Sequence, residues 1–371
     1  MTELMQASHQ WATRPDDERF ASLTDMLAHF TLQRDQSKEL VLSSRRVHVE
    51  PEQDNRGLSV IVDNVGRVGA GGDHYVATNW SFGQLAQLAE APAGYLRELG
   101  NKGAAPVAAD CLNVGLLTRK IEDIGVLCQN NGEHVLRAAT GPRYGRIWNS
   151  DIVATLVRQF GNGVGDSDWR VPGEFGQAVA ITKANTTLFA SDRDLFVFLC
   201  DEKNRIDIPG RRGGKGMARG FFMWNSEVGA KTFGLGTFLF DYVCCNRIVW
   251  GSQQYSEITI RHTASAPDKW IEELQPALIT YQNSATTGIV DAIKTAQAAK
   301  IDTDVSDFLA NRFGKRMVGP MQAVHMLEEN RPIETVFDAV TAATAYAKSV
   351  KWQDQRVELE RAAGELLKVA A

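Results

Sequence analysis

The sequence is poor in the features by which chemistry usually announces itself. It holds no run of about 18 apolar residues, which excludes an ordinary transmembrane helix. The opening stretch, MTELMQASHQWATRPDDERF, has no apolar core of signal-peptide length. Five residues of 371 are cysteine (Cys111, Cys128, Cys200, Cys244 and Cys245), an odd number with no C-x-x-C pair. A disulfide framework is therefore not expected, and the thiols read as small buried hydrophobes. The seven histidines show neither H-x-x-x-H nor H-E-x-x-H spacing, so no zinc site is expected. Gly214-Lys215 is followed by Gly216 and not by Ser or Thr, which excludes a Walker A loop. Gly66 to Gly72 falls out of register for G-x-G-x-x-G and is not followed at once by a helix, so a Rossmann reading fails. A G-x-S-x-G elbow is also missing. Asp63, Asp73 and His74 surround a glycine-rich turn, where capping the turn is the ordinary use and metal binding the alternative. No catalytic residue, metal or cofactor is assigned.

What is present is the composition of a folded protein. Hydrophobic residues make up 44% and charged residues 23%, enough apolar surface to offset chain entropy. The length leaves room for about two or three domains. The formal charge of −5, from 40 basic and 45 acidic side chains, excludes a uniformly basic coat but leaves a local basic patch open. A soluble, cytoplasmic protein is expected.

Hydrophobic spacing predicts an amphipathic helix over Asp16–Gln33, where Phe20, Leu23, Met26, Leu27 and Phe30 share a face. Strands are expected at 45–50, 58–65 and 73–78, and helices at 79–88, 92–99 and 105–117. Asn130-Asn131-Gly132 marks a hairpin between 125–130 and 134–139. Asn149 reads as the cap of a helix carrying Ile152, Leu156, Val157 and Phe160. From Trp169 to Thr263 glycine, aromatics and alternation indicate a run of strands. Beyond Ser265 the chain reads as helical, at 269–297, 305–313, 321–328, 333–349 and 353–369. The expected class is α+β, with mixed or antiparallel sheets, interspersed helices and a helical C-terminal region. The expected organisation is an N-terminal helical segment (1–40), an α+β body (41–263) and the C-terminal helices (264–371).

Two stretches concentrate positive charge. Residues 209–220 hold Arg211, Arg212, Lys215 and Arg219 among five glycines, between apolar strand-like segments. They read either as a solvated hairpin tip or as a finger that contacts phosphates. Residues 137–148 alternate Arg137, Arg143 and Arg146 with Tyr144 and Trp148. Arginines that follow a backbone beside rings that stack on bases suit single-stranded nucleic acid. The other reading is a turn whose rings pack inward. A third feature is Glu227, a single carboxylate in the apolar stretch 221–229. If buried it needs a partner, for which Asn246 or Arg247 is available.

Asn225-Ser226-Glu227-Val228-Gly229, then an aromatic strand and Val243-Cys244-Cys245-Asn246-Arg247, resembles the DUF932 group, the phage/plasmid-like or UPF0380 proteins. Arg143-Tyr144-Gly145-Arg146 ahead of a helix is similar to the middle segment of that family. The resemblance covers about Leu58 to Thr263. The family pattern ends in a Cys-Thr-Asn-Gly-type turn, where this chain has Cys244-Cys245-Asn246-Arg247. The resemblance implies a mobile-element context, hence a host cytoplasm, and it supplies no catalytic residues.

The function expected from these features is a non-catalytic nucleic-acid-binding protein of phage or plasmid type that favours single strands. Arg211, Arg212, Lys215 and Arg219 would contact phosphates, assisted by Arg143 and Arg146, with Tyr144 and Trp148 stacking on bases. Self-association would strengthen a weak patch through avidity. The alternatives are a protein-interaction or host-modulating factor, and an enzyme using Glu227 or Cys245. The family-motif residues are Asn225, Ser226, Glu227, Gly229, Cys245 and Asn246.

Overall fold

The structure is a computed structural model that describes residues 14–63, 72–171, 180–184, 186–208, 216–241, 246–249, 258–350 and 353–370. It is an α+β protein built on two sheets. The first has six strands: β1 (Ser37–Ser43), β2 (Val47–Pro51), β3 (Leu58–Val62), β4 (Asp73–Ala77), β5 (Asp123–Asn130) and β6 (His134–Thr140). Their order is β1-β5-β6-β4-β3-β2, antiparallel except for the β4–β6 pair.

This sheet must curl. β1 and β2 are its two ends in hydrogen-bonding order, yet only the 3-10 turn Ser44–Arg46 joins them. A connector that short reaches about 14 Å. Five flat inter-strand steps would hold the ends about 24 Å apart. The turn is stitched to strands on both sides. Ser44 N–H donates to Glu122 O at 2.7 Å and Asp63 N–H to Arg46 O at 2.9 Å.

Three helices, α2 (Asn79–Leu88), α3 (Ala93–Asn101) and α4 (Ala105–Thr118), fill one face of the curl. Leu85, Leu96, Leu112 and Leu116 pack there on Leu42, Val47, Val60 and Val126. Gly115 lets α4 close on α2, since a Cβ at that position would lie 2.1 Å from Ala89 O. Asn113 of α4 finishes the β2 edge. Its Oδ1 accepts from Val49 N–H at 2.8 Å and its Nδ2 donates to Val49 O at 2.9 Å. The amide thus satisfies the groups that an additional strand would have taken.

The second sheet contains β7 (Trp169–Arg170), β8 (Leu188–Ala190), β9 (Leu195–Asp201), β10 (Met217–Asn225), β11 (Phe233–Asp241), β12 (Asn246–Val249) and β13 (Ile258–Ile260). Its spine runs β12-β11-β10-β9-β7, with β13 beside β11 and β8 beside β9. Alternation in β10 divides the two faces. Phe221 and Met223 face α1 (Leu23–Asp35), α5 (Asn149–Phe160) and α7 (Gln275–Gln282), while Phe222 joins Phe196, Phe198, Phe238 and Phe240 on the other side. The C-terminal helices α8 (Thr287–Ala298), α9 (Val305–Phe313), α10 (Lys315–Glu329), α11 (Val336–Ala347) and α12 (Gln353–Ala370) share a core with Ile206, Met217, Leu239 and Ile248. Apolar packing therefore runs continuously from the sheet into residues 264–371.

Several local expectations change. α1 starts at Leu23 and not near Asp16, because Ser22 caps it by accepting from Asp25 N–H at 3.0 Å. The preceding residues line the β8 edge instead, with Phe20 N–H on Leu188 O at 3.1 Å. The strand expected from Arg45 begins at Val47, and β1 was not expected. The long helix expected over 269–297 is several pieces: α6 (Ala266–Lys269), a π-helical turn (Trp270–Leu274), α7 and then α8. Cys128 and Cys200 are buried, but Cys111 is exposed, against the expectation of burial. Cys244 and Cys245 lie outside the described residues.

Candidate functional site

Two of the segments that carry the resemblance, 143–146 and 225–229, touch one another; of the third, 243–247, only Asn246 and Arg247 are among the described residues, at the start of β12. β10 ends at Asn225, whose Nδ2 donates to Ile147 O at 2.8 Å and to Asn149 Oδ1 at 2.7 Å. The chain then turns, with Gly229 at φ +81°, a conformation glycine adopts without cost. Tyr144 OH donates to Ser226 O at 2.7 Å. Val228 O accepts from Trp80 Nε1 at 2.9 Å and Gln84 Nε2 at 2.7 Å, while Gln84 Oε1 accepts from Ala139 N–H at 3.0 Å. Trp80 and Gln84 sit on α2, so this turn connects the helix layer, the first sheet and the second sheet.

Glu227 is at the centre and is buried. One oxygen accepts from Arg137 Nη2 at 2.8 Å and the other from Asn149 N–H at 2.8 Å. Asn149 is the first residue of α5, and Trp148 before it supplies no side-chain cap. The expected capping by Asn149 is therefore corrected. The carboxylate caps the helix from 78 positions away, where the positive end of the helix dipole favours an anion. The expected partners Asn246 and Arg247 are corrected too. The partner is Arg137 of β6, which also donates to Gln33 Oε1 at 2.9 Å and Ser37 Oγ at 3.2 Å. With both oxygens engaged in this way, Glu227 acts as a structural acceptor.

The residues expected to meet a nucleic acid scatter. Arg219 is buried, not surface-exposed. It donates to Ser284 O and Gln282 O at 2.7 Å each, to Tyr281 O at 3.2 Å and to Asp201 Oδ2 at 3.3 Å. It therefore satisfies the last carbonyls of α7, and no donor is directed at solvent phosphate. Arg146 is likewise internal, donating to Glu39 Oε1 at 2.9 and 3.2 Å. Tyr144 stacks on His262, with ring centroids 4.9 Å apart. Trp148 carries two guanidiniums, Arg34 at 5.0 Å and Arg146 at 5.7 Å from its ring centre. Both rings are thus engaged by protein groups, which corrects their assignment as free platforms for bases. Arg143 remains exposed.

Arg211, Arg212, Lys215 and Cys245 lie outside the described residues. Ile206 and Met217 exchange backbone bonds of 2.7 and 2.9 Å. Asn246 opens β12 opposite Asp241. Of the residues discussed for a metal, His74 Nδ1 meets Ser59 Oγ at 3.2 Å, and no cluster of three or more potential ligands occurs among the described residues.

Sequence reasoning missed Arg34, Arg261 and His262. His262 Nδ1 lies 2.9 Å from Gly145 O and so donates to it. Gly145 is required there, because a Cβ would fall 1.9 Å from Thr263 O. The contact brings 261–263 beside 143–146. Around this contact half-exposed Arg34 pairs with Asp151 and buried Arg146 with Glu39, while Arg143 and Arg261, next to Tyr144 and His262 in sequence, are exposed.

Burial holds the His262 imidazole below the usual histidine range, with Arg146 pushing the same way and the Gly145 bond opposing. A ring kept neutral in the fold contributes fully above the unfolded value of about 6.5 and less as pH falls through it. His29 is lowered in the same sense, chiefly by burial. Glu18 and Asp192, raised chiefly by burial, act with the opposite sign at lower pH. Stability to urea is therefore expected to fall between about pH 7.5 and about pH 6. His262→Asn keeps a donor for Gly145 O and should make that fall shallower, leaving the share of His29. An identical fall in the variant would contradict this assignment.

Compared with family models, with curated proteins and with solved structures, the chain matches none.

Proposed function

We propose that the protein is a non-catalytic polyanion-binding protein whose ligand is single-stranded nucleic acid, met at the surface formed by 143–148, 261–263 and Arg34. The observation that carries this reading is the arginine and ring ladder there. Arg34 lies over Trp148, Arg146 over Trp148 and Tyr144, and Tyr144 over His262. Exposed Arg143 and Arg261 flank it in sequence. In this arrangement phosphates meet Arg143, Arg261 and half-exposed Arg34, and a splayed base can lie on the planar face of Arg34. The proposal includes membership of the DUF932 phage/plasmid-like proteins. Its support is that two segments of the resemblance, 143–146 and 225–229, meet at one buried junction.

The test is anisotropy of a labelled single-stranded oligonucleotide at several salt concentrations, with a duplex as comparison. Three arginines engaging phosphates should give a slope of log affinity against log salt of about −2 for single strands. Binding that is absent in dilute buffer, or insensitive to salt, would overturn the reading.

A further inference from the structure

Among the described residues the outer face of α4 has no partner, and it is apolar. The inner face buries Ala105, Ala108, Ala109, Leu112 and Leu116. The outer face exposes Val107, Cys111, Val114 and Leu117, and Ile121, three residues past the helix end, is exposed as well. Asp110 is the one charged residue in the fourteen. A helix that is apolar on both sides is ordinarily covered on both.

The outer stripe is symmetric about Val114, which is 62% exposed. Cys111 and Leu117 lie three positions before and after it, and Val107 and Ile121 lie seven before and after. Two antiparallel copies crossing at Val114 would set Val107 on Ile121, Cys111 on Leu117 and Val114 on itself. The charges agree with this register. Asp110, exposed on the N-terminal half, would meet Thr118 of the other copy close to its exposed Lys120, Arg119 being engaged by Leu88 O and Ile121 O of its own chain. A twofold interface requires this kind of self-complementarity.

We propose that α4 is the contact between two copies of this chain, packed antiparallel with Val114 on the twofold axis. Pairing the molecules also duplicates the arginine surface, which strengthens contact with one long polyanion without any new residue.

Light scattering after size exclusion, at tens of micromolar, should give twice the chain mass of 40.9 kDa for the wild type. Val114→Glu should halve it, and Leu327→Glu, at an exposed apolar site on α10, should not. In a Cys111→Ser background, Val114→Cys should form a disulfide-linked dimer on mild oxidation, and Leu327→Cys should not. A monomeric wild type, a dimer that survives Val114→Glu, or a failure of the position-114 crosslink would each overturn the proposal.

Discussion

Glu227→Ala is expected to destabilise the protein by about 3–5 kcal/mol, the range for breaking one side of a buried ion pair. The cost arises from what is left behind. Arg137 would remain buried with only the neutral acceptors Gln33 Oε1 and Ser37 Oγ, and the first amide of α5 would lose its cap. Glu227→Gln should recover only part, because its amide donor would face the Arg137 donor. Replacing both partners by apolar residues, Arg137→Met with Glu227→Leu, should be milder than either single change, since no charge is left buried. Urea midpoints of wild type, Glu227→Ala, Glu227→Gln, the double variant and its two single variants test this. A glutamine variant within about 1 kcal/mol of wild type would show that the pair is not the junction's main tie.

Arg219→Ala is expected to cost a similar amount, about 3–5 kcal/mol, by stranding Asp201, which is 0% exposed, and the last carbonyls of α7. The short bonds run to the carbonyls and the longer ones to Asp201, so the fork geometry matters as much as the charge. Arg219→Lys should therefore rescue little, since an ammonium cannot match a planar fork. Oligonucleotide affinity, measured under conditions where the variant is folded, should stay unchanged. A large loss of affinity with intact stability would restore Arg219 to the surface role its sequence context suggested.

These two residues show where the sequence was legible. The need of Glu227 for a partner could be read from one carboxylate among apolar neighbours, and the α+β class from the change between alternation and helical spacing. The β5–β6 hairpin was legible because Asn131-Gly132 is a local signal, with Gly132 at φ +103°. The identity of the partner was not. Arg137 lies 90 positions from Glu227, and nothing local links them. A signal did exist, since Arg137 is the one charge in Val135-Leu136-Arg137-Ala138-Ala139, mirroring Glu227 in its own stretch. Arg219 misled because glycines and cations around it resemble a solvated loop, while both faces of β10 are covered and its side chain packs over Trp169 and Tyr281. The curl that places Ser44–Arg46 between sheet ends follows from strand order, which no single segment encodes.

The central claim is that binding belongs to the exposed arginines around Tyr144 and His262, while the motif residues hold the fold. Oligonucleotide anisotropy of Arg143→Glu/Arg261→Glu beside wild type, with urea midpoints for both, tests it most directly. The expected result is at least about a tenfold loss of affinity with an unchanged midpoint. The salt slope should be shallower by about 1.4, at about 0.7 for each phosphate no longer neutralised. Unchanged affinity in the double variant would contradict the claim.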